Sequence, residues 1–261
     1  MRYGFIGTGN MAQTMLNGFV KNDTLKPDDI FVYDIDAQKQ AEAVNLYGVR
    51  PCRYTKEVAE SVDVLVLAIK PDQLNDVLIS VNIKPLPVLI SLPVGIPMRS
   101  IAQQLKINTA PIIRIIPNIS AEVFASVTAF CTNENITETQ KNEIIKTLEA
   151  LGSVIELPEN KLDIFTVIAS SAPAFVIKFS EALAEAALKE GLPKAAARTI
   201  ITEMLYGTAL MLREHDPHDV TDRICSPGGT TVAGLVSLTK NGFEAAVYEA
   251  AEACMGKLTS N

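Results

Sequence analysis

Arg2-Tyr3-Gly4-Phe5-Ile6-Gly7-Thr8-Gly9-Asn10-Met11-Ala12 decides the fold of this chain. A short apolar strand runs straight into Gly-x-Gly-x-x-Ala, and a helix follows with apolar residues at Met11, Met15, Leu16 and Phe19. A glycine pattern alone is weak evidence, but a strand before it and a helix after it make it a dinucleotide-binding fingerprint. Gly7 makes the tight turn, Gly9 lets a pyrophosphate reach the backbone, and Ala12 lets helix and strand pack closely. The unpaired N–H groups of Thr8, Gly9, Asn10, Met11 and Ala12, with the helix dipole, favour the diphosphate there.

The pattern continues outward from this unit. Ile30-Phe31-Val32-Tyr33-Asp34 reads as the second strand, ending where an adenosine ribose should sit. A carboxylate at Asp34 would accept both ribose hydroxyls and repel a 2′-phosphate, which leans NAD(P)H usage toward NADH. Asp36 follows closely, so a solvated turn carboxylate is the other reading. Val49 continues the alternation, and Val62 to Ile69 is an unbroken apolar run typical of a buried parallel strand. Val88–Leu92, Ile112–Ile116, Val127–Phe130 and Ser153–Leu157 complete the strands, with a helix from Thr139 to Leu151 before the last. Strands alternating with helices predict a doubly wound α/β sheet whose strand-end loops converge on one crevice.

After Pro158 the strand pattern stops. Asn160 to Lys189 reads as helix, broken or kinked near Ser170-Ser171-Ala172-Pro173, and Gly191-Leu192-Pro193 ends it. Lys194 to Arg213 is a second long helix, and Phe243 to about Leu258 the last. The boundary falls near residue 157, giving a Rossmann-like domain over 1–157 and a helical domain over 158–261. The long Ala-rich helices, such as Ala182–Leu188, suit close packing against further helices, so a homodimer is expected.

The 261 residues carry a formal charge of −7, with 48% apolar and 20% charged residues. No basic stripe meets phosphates, which argues against nucleic acid. No apolar run reads as long enough to span a membrane and no basic leader precedes the first strand, so a cytoplasmic protein is expected. Cys52, Cys131, Cys225 and Cys254 form no CxxC pair and read as buried or idle thiols. His215 and His218 lie among Glu214, Asp216, Pro217 and Asp219, which describes a solvated turn better than a metal site.

The second chemical stretch is Cys225-Ser226-Pro227-Gly228-Gly229-Thr230-Thr231-Val232-Ala233-Gly234-Leu235. Ser-Pro sets a turn, the glycines keep the backbone accessible, and Thr230 or Thr231 can cap a helix ending at Lys240-Asn241-Gly242. Free N–H groups and two hydroxyls at a helix start suit a small carboxylate; an ordinary loop entering a helix fits the residues equally well.

Ser226-Pro-Gly-Gly-Thr-Thr231 resembles the C-terminal signature of the pyrroline-5-carboxylate reductase family. Gly7-x-Gly-Asn-Met-Ala12, Ala68-Ile69-Lys70-Pro71 and Arg114-Ile-Ile-Pro-Asn118 resemble that family's other segments, in order and at similar spacing. The resemblance runs from residue 1 to about residue 258. It implies NAD(P)H-dependent reduction of 1-pyrroline-5-carboxylate to proline, with Ala68, Lys70 and Pro71 at the cofactor. It places the substrate carboxylate on the N–H groups of Gly228, Gly229 and Thr230 beside Ser226, and gives Thr231 the imine nitrogen. It also implies a dimer through the helical domain, with larger rings of dimers in some members. The chain departs from the family at Ser170-Ser171-Ala172-Pro173-Ala174, where Gly-Ser-Gly-Pro-Ala is usual, and at Cys225 and Thr239. Other readings are a 3-hydroxyacid dehydrogenase of the same plan, for which Lys178 is the nearest catalytic lysine, and a dinucleotide-binding sensor without turnover.

Overall fold

The computed structural model describes residues 1–81 and 83–259. Alternating strands and helices fill the N-terminal part: β1 (Tyr3–Ile6), α1 (Asn10–Lys21), β2 (Ile30–Tyr33), α2 (Ala37–Tyr47), β3 (Arg50–Pro51), α3 (Thr55–Ser61), β4 (Val64–Leu67), α4 (Leu74–Ser80), β5 (Val88–Ser91), α5 (Met98–Leu105), β6 (Ile112–Ile116), β7 (Ser126–Thr132), α6 (Glu138–Leu148) and β8 (Gly152–Glu156). The strands form one sheet in the order β3-β2-β1-β4-β5-β6-β7-β8. All pairings are parallel except β6 with β7. The first six strands have the order of a dinucleotide-binding fold, whose ligands lie beyond the carboxyl ends of the strands.

Both faces of the sheet are covered, which explains the unbroken apolar runs. Phe5, Val66, Ile90 and Ile113 pack with Met15, Leu16, Phe19 and Ile144 of α1 and α6 on one face. Leu65, Leu67 and Leu89 pack with Val58, Leu78 and Ile101 of α3, α4 and α5 on the other. Each such side chain stabilises the fold by about 1.5–3 kcal/mol when fully buried. The strands stop one or two residues short of the apolar runs because Ile69 and Leu92 already belong to the loops at the carboxyl edge. Between α6 and β8 the expected helix tightens into a 3₁₀ turn at Glu149–Leu151, and Thr137 starts α6 with a reciprocal capping box to Gln140.

After Glu156 every element is helical: α7 (Leu162–Phe165), a π-helical turn at Thr166–Ser171, α8 (Ala172–Lys189), α9 (Lys194–Glu214), α10 (Pro217–Ile224), α11 (Thr230–Lys240) and α12 (Phe243–Thr259). By packing, one compact unit is Met1–Ser170 and a second is Ser171–Lys257. The kink expected at 170–173 is therefore the π turn. The turn expected around His218 is a helix instead: Asp216 caps α10 by accepting the His218 N–H at 2.8 Å, and Pro217 takes the first helical position. Glu159–Lys189 is helical over 31 residues with a mean hydropathy of 1.6 in its most apolar window, 17% of it buried. It is long and apolar enough to span a membrane by composition, which corrects the expectation that no run reaches that length.

Within the second unit α8 packs on α9. Its buried apolar residues, among those described, are Ala197, Ile201 and Val220. Val176, Ile177, Ile200, Met204, Leu210 and Val247 stay exposed.

Candidate active site

The end of β1 and the start of α1 build the first part of the site. Gly7 turns at φ 92°, where an added Cβ would lie 2.3 Å from the carbonyl oxygen of Ala68. Around Gly9 an added Cβ would meet nothing within 4 Å, so that side of the loop is open. Gly9 is the N-cap of α1 and no side chain caps it. The N–H groups of Gly9, Asn10, Met11 and Ala12 have no partner among the described residues, and the first turn carries no acid. These groups and the helix dipole make a ready site for a diphosphate. A cavity of about 670 Å³ opens here, lined by Gly7, Gly9, Asn10, Met11 and Asp34, and by Ala68 and Lys70 after β4. Pro71 begins the 3₁₀ turn that carries the chain from Lys70 into α4. A dinucleotide fits this cradle: the backbone donors are free and the space beside Gly9 is empty of side chains.

Asp34 has a different task from the one its position suggests. Its Oδ2 accepts the Thr8 N–H at 2.6 Å and the Thr8 hydroxyl at 3.1 Å, and its Oδ1 accepts the Asp36 N–H at 2.9 Å. A carboxylate has about four lone-pair sites. Three are engaged inside the protein, which leaves at most one for a ribose hydroxyl, so the lean toward NADH keeps only the carboxylate's charge as its basis. Gln40 steadies the same turn, accepting the Asp34 N–H at 3.3 Å and donating to the Cys52 carbonyl at 2.8 Å. Thr8 is fully buried, tied down rather than offered to a ligand. We expect Asp34→Ala to raise KM for NADH and NADPH alike, by about tenfold, because charge-assisted hydrogen bonds of about 1.5–3 kcal/mol hold the loop. Steady-state kinetics with both cofactors checks this; a fall in KM for NADPH alone would return Asp34 to the ribose.

The Arg114-Ile-Ile-Pro-Asn118 segment supports the next strand end. Arg114, buried on β6, donates Nη1–H to Glu159 Oε1 at 2.9 Å, and the same oxygen accepts the Met98 N–H at 2.8 Å. Asn118, beyond the carboxyl end of β6, donates Nδ2–H to the Ala169 carbonyl at 2.9 Å and accepts the Val127 N–H on Oδ1 at 3.3 Å. Burial pushes the Cys52 and Cys131 thiols up to about 11, so both stay protonated and unreactive at neutral pH.

The Ser-Pro-Gly-Gly-Thr-Thr stretch of the second unit is a turn followed by α11. Gly228 sits at φ 70°, and Gly229 donates its N–H to the Ser226 carbonyl at 2.9 Å. A side chain at Gly229 would meet the Ser226 hydroxyl at 2.5 Å, so the turn is closed by these two residues. Gly229 is the N-cap of α11 and has no side-chain cap. Neither threonine hydroxyl caps the helix; Thr230 and Thr231 are its first two residues. Their N–H groups and that of Val232 have no partner among the described residues, nor does the half-buried Thr231 hydroxyl. Of the expected donors Gly228, Gly229 and Thr230, only Gly229 spends its N–H inside the turn; the N–H groups of Gly228, Thr230, Thr231 and Val232 have no partner among the described residues.

The strand order, the open cradle at Gly9 and a helical unit with a second anion-ready helix start define a dinucleotide-dependent oxidoreductase. Residues 159–260 match the family described as pyrroline-5-carboxylate reductase dimerisation, and residues 2–95 match that described as NADP oxidoreductase coenzyme F420-dependent. The pyrroline-5-carboxylate reductase of Synechocystis sp. is 34% identical over 97% of this chain and 95% of its own length. Pyrroline-5-carboxylate reductase 2 of Bacillus subtilis is 35% identical over 96% and 91%. The solved reductase structure from Coxiella burnetii superposes with a TM-score of 0.91 at 28% identity, covering 99% of this chain and 97% of the other. That from Plasmodium falciparum, with NADP bound, gives 0.88 at 28%, covering 100% and 97%. The chain belongs to the pyrroline-5-carboxylate reductase family.

Proposed function

We propose that this chain reduces 1-pyrroline-5-carboxylate to L-proline with NAD(P)H. The observation that carries the reading is the start of α11: three unpartnered N–H groups and one unpartnered hydroxyl, behind a turn closed by Ser226 and Gly229. The N–H groups of Thr230, Thr231 and Val232 hold the substrate carboxylate, helped by the partial positive charge of about half a unit at the helix start. Gly228 and Gly229 leave the backbone clear for its approach, and Ser226 fixes the turn. The Thr231 hydroxyl orients the ring nitrogen and relays a proton to it. Bound NAD(P)H supplies the hydride that adds to C5 of the C=N bond. As C5 takes the hydride, the nitrogen gains or keeps one proton, and the product is proline. A pyrrolinium ion enters already protonated, so a weak donor suffices at Thr231.

Gly7, Gly9 and the N–H groups of Asn10, Met11 and Ala12 hold the cofactor diphosphate. Thr8 and Asp34 hold the loop, Ala68 and Lys70 border the cavity, and Pro71 starts the turn that follows them. The Lys70 ammonium lines that cavity with no carboxylate within ion-pair distance among the described residues, which suits a phosphate neighbour. Lys178, the lysine a 3-hydroxyacid dehydrogenase would require, is 83% exposed and 3.4 Å from Glu181. That is a solvated helix-face pair, not a desolvated catalytic group.

We also infer a homodimer through residues 158–261, working in the cytoplasm. Three buried apolar side chains cannot hold a unit of this size, and the exposed apolar residues of α8, α9 and α12 need a cover. The four free cysteines suit a reducing compartment. Light scattering is expected to give at least twice the chain mass and to reveal any ring of dimers; a stable folded monomer would contradict this.

The test of the reaction is NADH and NADPH oxidation with 1-pyrroline-5-carboxylate, compared with a 3-oxoacid and with proline identified as the product. Oxidation with the imine alone is expected. Oxidation with the 3-oxoacid alone would transfer the chain to the other reductase class, and tight binding without turnover would make it a sensor.

A further inference from the structure

The helix through the π turn contains a proline, and a proline has no N–H to give. In helical register the N–H of residue 173 would serve the carbonyl four residues back, at Ala169. Pro173 cannot supply that donor, and at a residue as buried as Ala169 a carbonyl left unmet is destabilising. The structure supplies the donor from elsewhere in the chain: Asn118 Nδ2 lies 2.9 Å from the Ala169 oxygen. Asn118 is only 7% exposed, and its other amide atom accepts the Val127 N–H of β7. One side chain thus joins the carboxyl end of β6, the start of β7 and the orphaned carbonyl of a π turn. Turns of this kind concentrate at functional sites, because a one-residue change of register redirects every side chain on them.

We propose that Asn118 is a positioning residue for the reduction: it replaces the N–H that Pro173 lacks and fixes the register of the Thr166–Ser171 turn. This rests on the reductase reading above. In a fold of this order the strand ends of β4, β5 and β6 flank the nicotinamide half of the cofactor. The turn held against β6 carries Ser170, one of the two positions, with Ala172, at which this chain departs from the family's glycines. The Ser170 hydroxyl is enclosed with no partner among the described residues, so the Ser170 side chain does not tie the turn to the sheet. The Asn118 amide does.

The pairing of Asn118 with Pro173 gives a specific test. Asn118→Ala should lower kcat about tenfold with KM for the cofactor nearly unchanged, because the diphosphate cradle is elsewhere. Asn118→Asp, of similar size but unable to donate, should behave alike. Pro173→Ala returns an N–H to the Ala169 carbonyl, so in that background Asn118→Ala should cost little. The wild type, Asn118→Ala, Pro173→Ala and their double variant are also compared by thermal unfolding without ligands, which reads the hydrogen-bond exchange even if the substrate assignment were wrong. Coupling in both kcat and unfolding midpoint is expected. Equal losses from Asn118→Ala with and without Pro173 would overturn the substitution, and coupling in unfolding with kcat untouched would overturn the positioning role. Wild-type turnover of the imine is the control that separates either failure from a failure of the reductase reading.

Discussion

Thr231→Ala is expected to lower kcat by about tenfold or more while NAD(P)H binding stays unchanged. Thr231 is the second residue of α11 and its hydroxyl has no partner among the described residues, so the side chain is available to a ligand. Alanine removes that hydroxyl and keeps every backbone N–H at the helix start. The substrate carboxylate should therefore bind almost as before, and KM for 1-pyrroline-5-carboxylate should move little. A loss confined to kcat is the mark of an interaction made at the reacting nitrogen. Thr231→Ser should retain most of the rate, because the hydroxyl remains. Steady-state kinetics on the three proteins decides the matter: an unaltered kcat in Thr231→Ala would remove Thr231 from the mechanism.

The second large effect is at the cofactor loop, where two glycines fail in different ways. Gly7→Ala forces a side chain into a backbone at φ 92° and against the Ala68 carbonyl at 2.3 Å, where no flexible atom can yield. Strain of about 1–3 kcal/mol and a displaced loop should weaken NAD(P)H binding by about tenfold to a hundredfold, with a lower unfolding midpoint. Gly9→Ala meets no protein atom within 4 Å, so stability should hold while binding falls, because the methyl group occupies the space beside the free N–H groups. Fluorescence titration with NADPH and thermal unfolding of both variants separate the two. Unchanged binding in Gly9→Ala would show that the diphosphate does not approach this loop.

Most of the fold was legible because its signals are local and repeated. The apolar run Val62–Ile69 can only be a strand covered on both faces, and Gly-x-Gly-x-x-Ala at residue 7 can only turn into a helix. The helical second half followed from its caps and stops, down to the left-handed Gly242 after α11. What the residues did not reveal depends on which partner a polar group chooses. Asp34 could meet a ribose or its own loop, and the nearest donors, the Thr8 N–H and hydroxyl, win. Asp216-Pro217 reads as a solvated turn, and the capping bond from His218 N–H to Asp216 makes it the start of a helix instead. Gly229 looked like a free donor until the turn closed on Ser226. Asn118 escaped notice, although Pro173 within an apolar helical stretch announces an orphaned carbonyl at Ala169 and so demands a donor from somewhere.

The most direct test of the central claim follows the hydride itself. The protein would be given 1-pyrroline-5-carboxylate and NADPH or NADH carrying deuterium at the transferable C4 position, and the product examined by mass spectrometry and NMR. Proline carrying a single deuterium at C5 is the predicted result. Oxidised cofactor without labelled proline, or no oxidation while both ligands bind, would contradict the account.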